Sequence, residues 1–189
     1  KEKMKRKFER SINLLLKQVE EHPDDAFVQM NTAQMFLSRN YIDEAEPHAK
    51  KVVEILEEDP GDQEHLLLMG IYQLSLIYLR RDDFDGCEKY CLQALEKKEN
   101  YIDPMLNLGM CYFKKGEFDK AIDILEKFLE CRKELIAKEE FNLLILNKLG
   151  SDYEAEFMIG EIYRNKKDFE KAKERLNNAA KSNNVFWNI

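Results

Sequence analysis

The chain has 189 residues, of which 44% are hydrophobic and 35% charged, a balance that fits a folded, water-exposed protein and excludes a disordered one. Its net charge of −7 and pI near 5.2 argue against nucleic acid as a partner, because that would need a basic face. No run of 18 apolar residues is present, so no membrane span is expected.

Residues 1–21 place Phe8, Ile12, Leu15, Leu16 and Val19 on one face and predict an amphipathic helix. That face must cover the first repeat, cover a missing preceding domain, or meet a partner. The opening decapeptide KEKMKRKFER has six Lys/Arg against two Glu and reads as a solvated helix start. No signal peptide opens the chain, and Lys1 in place of Met suggests a piece of something longer or a trimmed tag.

From residue 23 onward a helix-turn-helix pattern recurs. A small residue stands at Ala33, Ser75, Gly109 and Gly160, with an aromatic three positions later at Phe36, Tyr78, Tyr112 and Tyr163. Twelve positions after the first small residue comes a second, at Ala45, Cys87, Ala121 and Ala172. It is preceded three positions earlier by Ile42, Phe84, Phe118 and Phe169. Successive copies are 42, 34 and 51 residues apart. The small residues are expected where two helix backbones approach closely, and the aromatics where one copy packs on the next.

The 34-residue spacing and these four columns resemble the tetratricopeptide repeat family over about residues 23–183. The resemblance implies an all-α fold: a right-handed superhelical solenoid of about four helix-turn-helix units with an extra N-terminal helix. The expected units are about 26–59, 62–98, 102–135 and 151–184, with an insertion at about 136–150 and a tail at 184–189. The departures are extra residues after the first and third units and no Pro at the end of units three and four. No unit can bury its apolar face alone, so stacking of neighbours supplies the core.

Helix ends fit this register. Asp103-Pro104 reads as an N-cap followed by Pro at the first helical position. Ser151-Asp-Tyr-Glu154 reads as a capping box, and Gly116 as a helix stop. Pro47 is expected within the first turn of a helix beginning near Asp43, where its missing N–H costs nothing. Residues 133–149, which hold the run FNLLILNKL, are read as an extended second helix with a packed connection. The tail NNVFWNI puts Phe186, Trp187 and Ile189 together, to cap the last helix or bind another molecule.

Chemistry is hard to find. Cys87, Cys91, Cys111 and Cys131 are read as reduced, buried thiols in a cytoplasmic protein. Cys87 and Cys91, one helical turn apart, supply only two of the four ligands zinc needs, and His22, His48 and His65 show no ligand spacing towards them. The acidic pairs Asp24-Asp25, Glu57-Glu58-Asp59 and Asp82-Asp83 fall at turns, where carboxylates favour helix starts. No phosphate loop, HExxH or triad spacing is present, so no cofactor, metal or catalytic residue is assigned.

Binding is the better prospect. The resemblance implies a concave groove lined by the first helix of each unit: Phe27, Met30, Asn31, Gln34 and Leu37, then Met69, Tyr72, Gln73, Leu76 and Arg80. The later units add Asp103, Leu106, Asn107, Met110 and Lys114, then Glu154, Phe157, Met158, Glu161 and Arg164. Within it, the candidate peptide-binding residues are Met30, Asn31, Gln34, Tyr72, Gln73, Leu76, Arg80, Asn107, Met110, Lys114, Phe157, Glu161 and Arg164. Asn31, Gln73 and Asn107 hold equivalent places in three units, and amides that both donate and accept suit the backbone of an extended peptide.

The Lys/Asn/Arg clamp by which some family members grip a C-terminal carboxylate is not matched, since Met30 and Gln34 stand at its first two places and Asp103 and Asn107 at the matching places of the third unit. The expected role is a non-catalytic protein- or peptide-binding scaffold, with a homodimer as one arrangement. The stretch around Gly150, Ser151 and Tyr153 is also similar to the repeat region that follows the catalytic domain of bacterial family 2 glycosyltransferases. That resemblance implies acceptor positioning or dimerisation as the alternative.

Overall fold

The computed structural model describes residues 2–138 and 147–186. Among the described residues the chain is nine α-helices and one short 3-10 turn, with no strand. It forms two compact bodies, residues 1–83 and residues 84–189.

The first body contains α1 (Glu2–Glu21), α2 (Ala26–Leu37), α3 (Ile42–Leu56), the 3-10 turn Gly61–Gln63 and α4 (Glu64–Arg80). Asp25 starts α2, its carboxylate accepting from the main-chain N–H of Phe27 at 2.9 Å and of Val28 at 3.0 Å. α2 packs on α3 and α4, and α3 packs on α4. The N-terminal helix covers the first helix pair: Ile12 is buried, the Phe8 ring lies 5.8 Å from Tyr41, and the Arg39 guanidinium sits 5.2 Å over Phe8.

Pro47 departs from expectation. α3 starts at Ile42, one residue early, so Pro47 stands inside the helix in its second turn. There its missing N–H removes a bond that the Asp43 carbonyl would accept in a regular helix.

The second body contains α5 (Phe84–Lys97), α6 (Ile102–Lys115), α7 (Phe118–Lys138), α8 (Asp152–Asn165) and α9 (Phe169–Phe186). Its core gathers Ile102, Met105 and Leu106 of α6, Leu125 and Phe128 of α7, and Ala155, Met158 and Ile159 of α8. Gly116 ends α6 with φ 78°, a left-handed turn that permits the reversal into α7.

In the α6–α7 and α8–α9 pairs the small-residue column lies at the seam between the helices. A Cβ at Gly109 would strike the Leu125 side chain, and one at Gly160 would meet Leu176 Cγ at 2.8 Å. α7 is the extended helix of the third pair, continuing to Lys138 with Leu135 buried. The apolar run at 139–146, and Trp187 and Ile189 of the tail, lie outside the described residues.

Two helix-start readings are corrected. Asp103 is not a cap: Tyr101 precedes α6, and Asp103 and Pro104 are its second and third residues. The Asp103 side chain turns inward, 0% exposed, and accepts from Asn147 N at 2.8 Å, Asn147 Nδ2 at 3.1 Å and Lys148 N at 2.9 Å. Ser151 forms no capping box either. Its hydroxyl donates to Glu154 Oε1 at 2.8 Å, so neither side chain serves the main-chain N–H groups as a box requires.

Candidate functional site

Two ladders of polar contacts tie successive helix pairs together. Six positions after the first small residue stand Arg39, Arg81, Lys115 and Lys166; two positions before the second stand Asp43, Asp85, Asp119 and Glu170. Each later cation reaches the acid of the preceding pair. Arg81 Nη2 lies 2.5 Å from Asp43 Oδ1, Lys115 Nζ lies 3.2 Å from Asp85 Oδ1, and Lys166 pairs with Asp119.

Tyrosines of the aromatic column join in. Tyr78 donates to Glu46 at 3.2 Å and Tyr112 to Glu88 at 3.0 Å, and the same carboxylates take Arg81 and Lys115. The sequence reading missed this device. Its signal was present as two further columns, one wholly basic and one wholly acidic. At the ends of the ladder, Arg39 lies against α1, whereas Glu170 is exposed and has no cation partner among the described residues.

The expected groove residues have different fates. In the first body Met30, Tyr72 and Gln73 are buried; Asn31, Gln34 and Leu76 are half-buried; Arg80 is exposed. The Gln73 amide is engaged within the body, donating to the Met30 carbonyl at 3.0 Å and facing Gln34 Oε1 at 3.3 Å. Arg80 Nη1 likewise donates to the Leu37 carbonyl at 2.8 Å. A cleft of about 840 Å³ between α1 and α2 takes in Asn31, Gln34, Leu14 and Met35.

In the second body Asn107 is buried, Met110 and Glu161 are half-buried, and Lys114, Phe157 and Arg164 are exposed. Arg164 turns back on Glu161 at 2.5 Å. Met110, Lys114 and Phe157 converge, with Phe113, Tyr153, Glu154 and Met158, on a cleft of about 680 Å³ closed on its far side by Leu176, Ala179 and Ala180 of α9. This cleft is a mostly apolar concavity of the second body. Its walls offer van der Waals surface, with Lys114 and Glu154 as the charged groups.

The cysteines, which lie outside this cleft, are not placed for covalent chemistry. Cys87 and Cys91 are buried with sulfurs 3.9 Å apart, and Cys111 donates to the Phe84 carbonyl at 3.2 Å. The Cys111 thiol is pushed up by its hydrogen bond with Cys87 and by burial, and burial pushes the Cys131 thiol up as well. Thiols so placed are poor nucleophiles and poor metal ligands near neutral pH.

Residues 105–130 and residues 153–185 each match a family model described as tetratricopeptide repeat. A 77-residue stretch, 41% of this chain, is 29% identical to tetratricopeptide repeat protein 21B of Xenopus laevis; it spans 5% of that protein's length.

The fold is similar to solved structures of MamA: one superposes with a TM-score of 0.71 at 19% identity, covering 99% of this chain and 95% of that one. MamA from Desulfovibrio magneticus RS-1 gives 0.71 at 12% identity over 94% and 86% of the two chains. YrrB, described as a tetratricopeptide repeat protein with an unusual peptide-binding site, gives 0.64 at 19% identity, covering 95% of this chain and 80% of that one. Over residues 105–130 and 153–185, within α6–α7 and α8–α9, the sequence columns, the helix packing and the tetratricopeptide repeat models coincide.

Proposed function

We propose that this chain is a non-catalytic scaffold that binds a protein or peptide, and that the cleft of Met110, Phe113, Lys114, Phe157 and Met158 is where it does so. The observation that carries the reading is Phe157. It is 51% exposed at the mouth of an apolar cleft, in a chain whose other inward-facing apolar residues are mostly packed away. Exposed apolar surface inside a concavity is the usual mark of a binding site, and an aromatic with two flexible methionines suits apolar anchors of varied shape. YrrB, of similar fold, is described as having a peptide-binding site, which supports the class of ligand.

Met30, Tyr72 and Gln73 support the fold rather than the ligand in this reading, because they are buried. Asn31 and Gln34, in the cleft beside α1, remain proposed polar contacts of the first body. The resemblance at Gly150, Ser151 and Tyr153 adds acceptor positioning or enzyme pairing as uses of the same surface, in the setting of a larger glycosyltransferase.

The test is a displayed random-peptide library selected on the full chain, followed by titration of the winners against a Met110→Ala/Phe157→Ala variant. The expected result is saturable binding weakened at least tenfold in the variant, as truncation of two anchors predicts. Winners that bind the variant equally well would show that the cleft is not the binding surface.

A further inference from the structure

One end of the first body is strongly acidic. The turn between α1 and α2, residues 20–25, and the stretch from the end of α3 to the start of α4, residues 54–64, hold ten Asp and Glu and no Lys or Arg. All ten are exposed. They outweigh the whole chain's net charge of −7, so the rest of the chain is on balance basic. The two stretches lie together, because Lys51 of α3 reaches Asp24 at 3.0 Å and Glu54 at 2.8 Å. They border a cleft of about 600 Å³ to which Ile55, Leu56 and Leu66 give an apolar wall. Phe27 also lines this cleft and is 57% exposed.

Helix starts account for only part of the charge. Asp25 caps α2, and Glu64 lies in the first turn of α4, where a carboxylate faces a positive helix pole. Glu20 and Glu21, by contrast, are the last residues of α1, and Glu57 and Glu58 follow the last residue of α3. Neither helix has a basic residue in its last turn. A carboxylate there meets the negative pole of its own helix and the like charges around it, so local structure opposes the placement. Nor do the acids gather on a point: among the described residues no three His, Cys, Asp or Glu groups are placed to hold a metal ion. They form a broad negative field beside an apolar cleft, which suits several cations spread along a chain.

We infer that this end of the first body binds a Lys- and Arg-rich segment of a partner protein, its cations lying along the two acidic stretches and one apolar side chain entering the cleft against Phe27. Charge complementarity selects the occupant, since a neutral or acidic segment would leave the field unanswered. The Lys51 ammonium between Asp24 and Glu54 shows how a cation is held there, and the partner's cations repeat that contact. The apolar side chain fixes register, which exposed ion pairs alone do weakly. This surface shares no residue with the proposed cleft of the second body, so either assignment can fail alone.

The probe is a fluorescent peptide of sequence RKRFKRK, titrated on the full chain by anisotropy at low and at physiological salt. Binding should saturate and should weaken as salt rises. Glu21→Lys/Glu58→Lys reverses two exposed charges at helix ends where Lys is favoured; it should weaken binding at least about tenfold without lowering the thermal midpoint. Phe27→Ala should weaken it about three- to tenfold, and a peptide with Ser in place of Phe should bind the parent chain and Phe27→Ala alike. Glu96→Lys/Glu130→Lys makes the same change of net charge at exposed positions of the second body and should leave the affinity within about twofold.

Absence of saturable binding overturns the inference, as does parent-like binding by Glu21→Lys/Glu58→Lys or by Phe27→Ala. An equal loss in Glu96→Lys/Glu130→Lys would show that net charge alone draws the peptide, and would also overturn it. Displacement of the peptide by calcium chloride at concentrations near that of the chain would make the acidic field an ion site and overturn the assignment to a protein segment.

Discussion

Replacing Asp103 by Ala removes the acceptor for two main-chain N–H groups, those of Asn147 and Lys148, at 2.8 and 2.9 Å. A buried donor left without a partner costs about 1–3 kcal/mol. Part of that loss is offset, because the variant no longer holds a carboxylate away from water. Burial keeps the Asp103 carboxyl above its ordinary value of 3.8, with the N–H bonds from Asn147 and Lys148 pulling it partway back. The net expectation is a loss of about 1–3 kcal/mol from the closure of residues 147–150 onto α6, with the α6–α7 pair left standing.

Amide hydrogen exchange reads this directly. Asn147 and Lys148 should exchange roughly five- to a hundredfold faster in Asp103→Ala, and amides near Gly116 at the ordinary rate. The pH dependence has a definite sign. A raised folded value means that the folded chain takes up the proton at higher pH than the unfolded one. Ionisation of this group therefore subtracts stability at neutral pH, and the subtraction fades as pH falls through the folded value towards 3.8. The deficit of Asp103→Asn relative to the parent chain should accordingly widen on acidification. Unchanged exchange at Asn147 and Lys148 in Asp103→Ala would refute the reasoning.

Other substitutions test the packing. Gly109→Ala drives a methyl into Leu125 and should lower thermal and urea stability by about 1–3 kcal/mol, despite alanine's better helix propensity. An unchanged urea midpoint would mean that Leu125 gives way freely. Pro47→Ala restores a helix donor within α3 and should raise the urea midpoint, by an amount below the roughly 3 kcal/mol cost of proline in a helix interior; a lowered midpoint would show that the unfolded chain's lost rigidity dominates. Glu46 is opposed by its burial, but bonds from Lys50 and Arg81 outweigh this and hold its carboxyl below the ordinary value. Its stabilisation is therefore present above the unfolded value and lost as pH falls through the folded one, so Glu46→Gln should cost about 1 kcal/mol or less at neutral pH and nothing in acid.

The parts of the fold legible in the sequence were those governed by short, repeated spacing. Gly116 announced a helix stop because only a left-handed turn needs that residue there, and Gly109 and Gly160 announced the helix seams because a side chain has no room. Local rules misled where a distant partner intervened. Asp103 before Pro104 looked like a cap, yet its partners lie 44 and 45 residues away. Gln73 looked like a ligand-facing amide, yet it bonds the Met30 carbonyl 43 residues back. Within the candidate cleft, Met110, Lys114 and Phe157 were named from register. The contribution of α9 through Leu176, Ala179 and Ala180 was not, because a small or aliphatic residue on a second helix reads as core in the sequence.

The ladder of cations and acids has a consequence for how the chain folds. Its rungs span 38, 30 and 47 residues, each joining one helix pair only to its neighbour. Within each body, contacts of that kind make folding resemble growth along a line, a nucleus in one helix pair recruiting the next. In the first body α1 lies over Tyr41 and Arg39; in the second, Phe157 is exposed and Glu170 has no cation partner among the described residues. Loss of one rung should therefore loosen the helix pairs it joins and leave the other body at its ordinary stability.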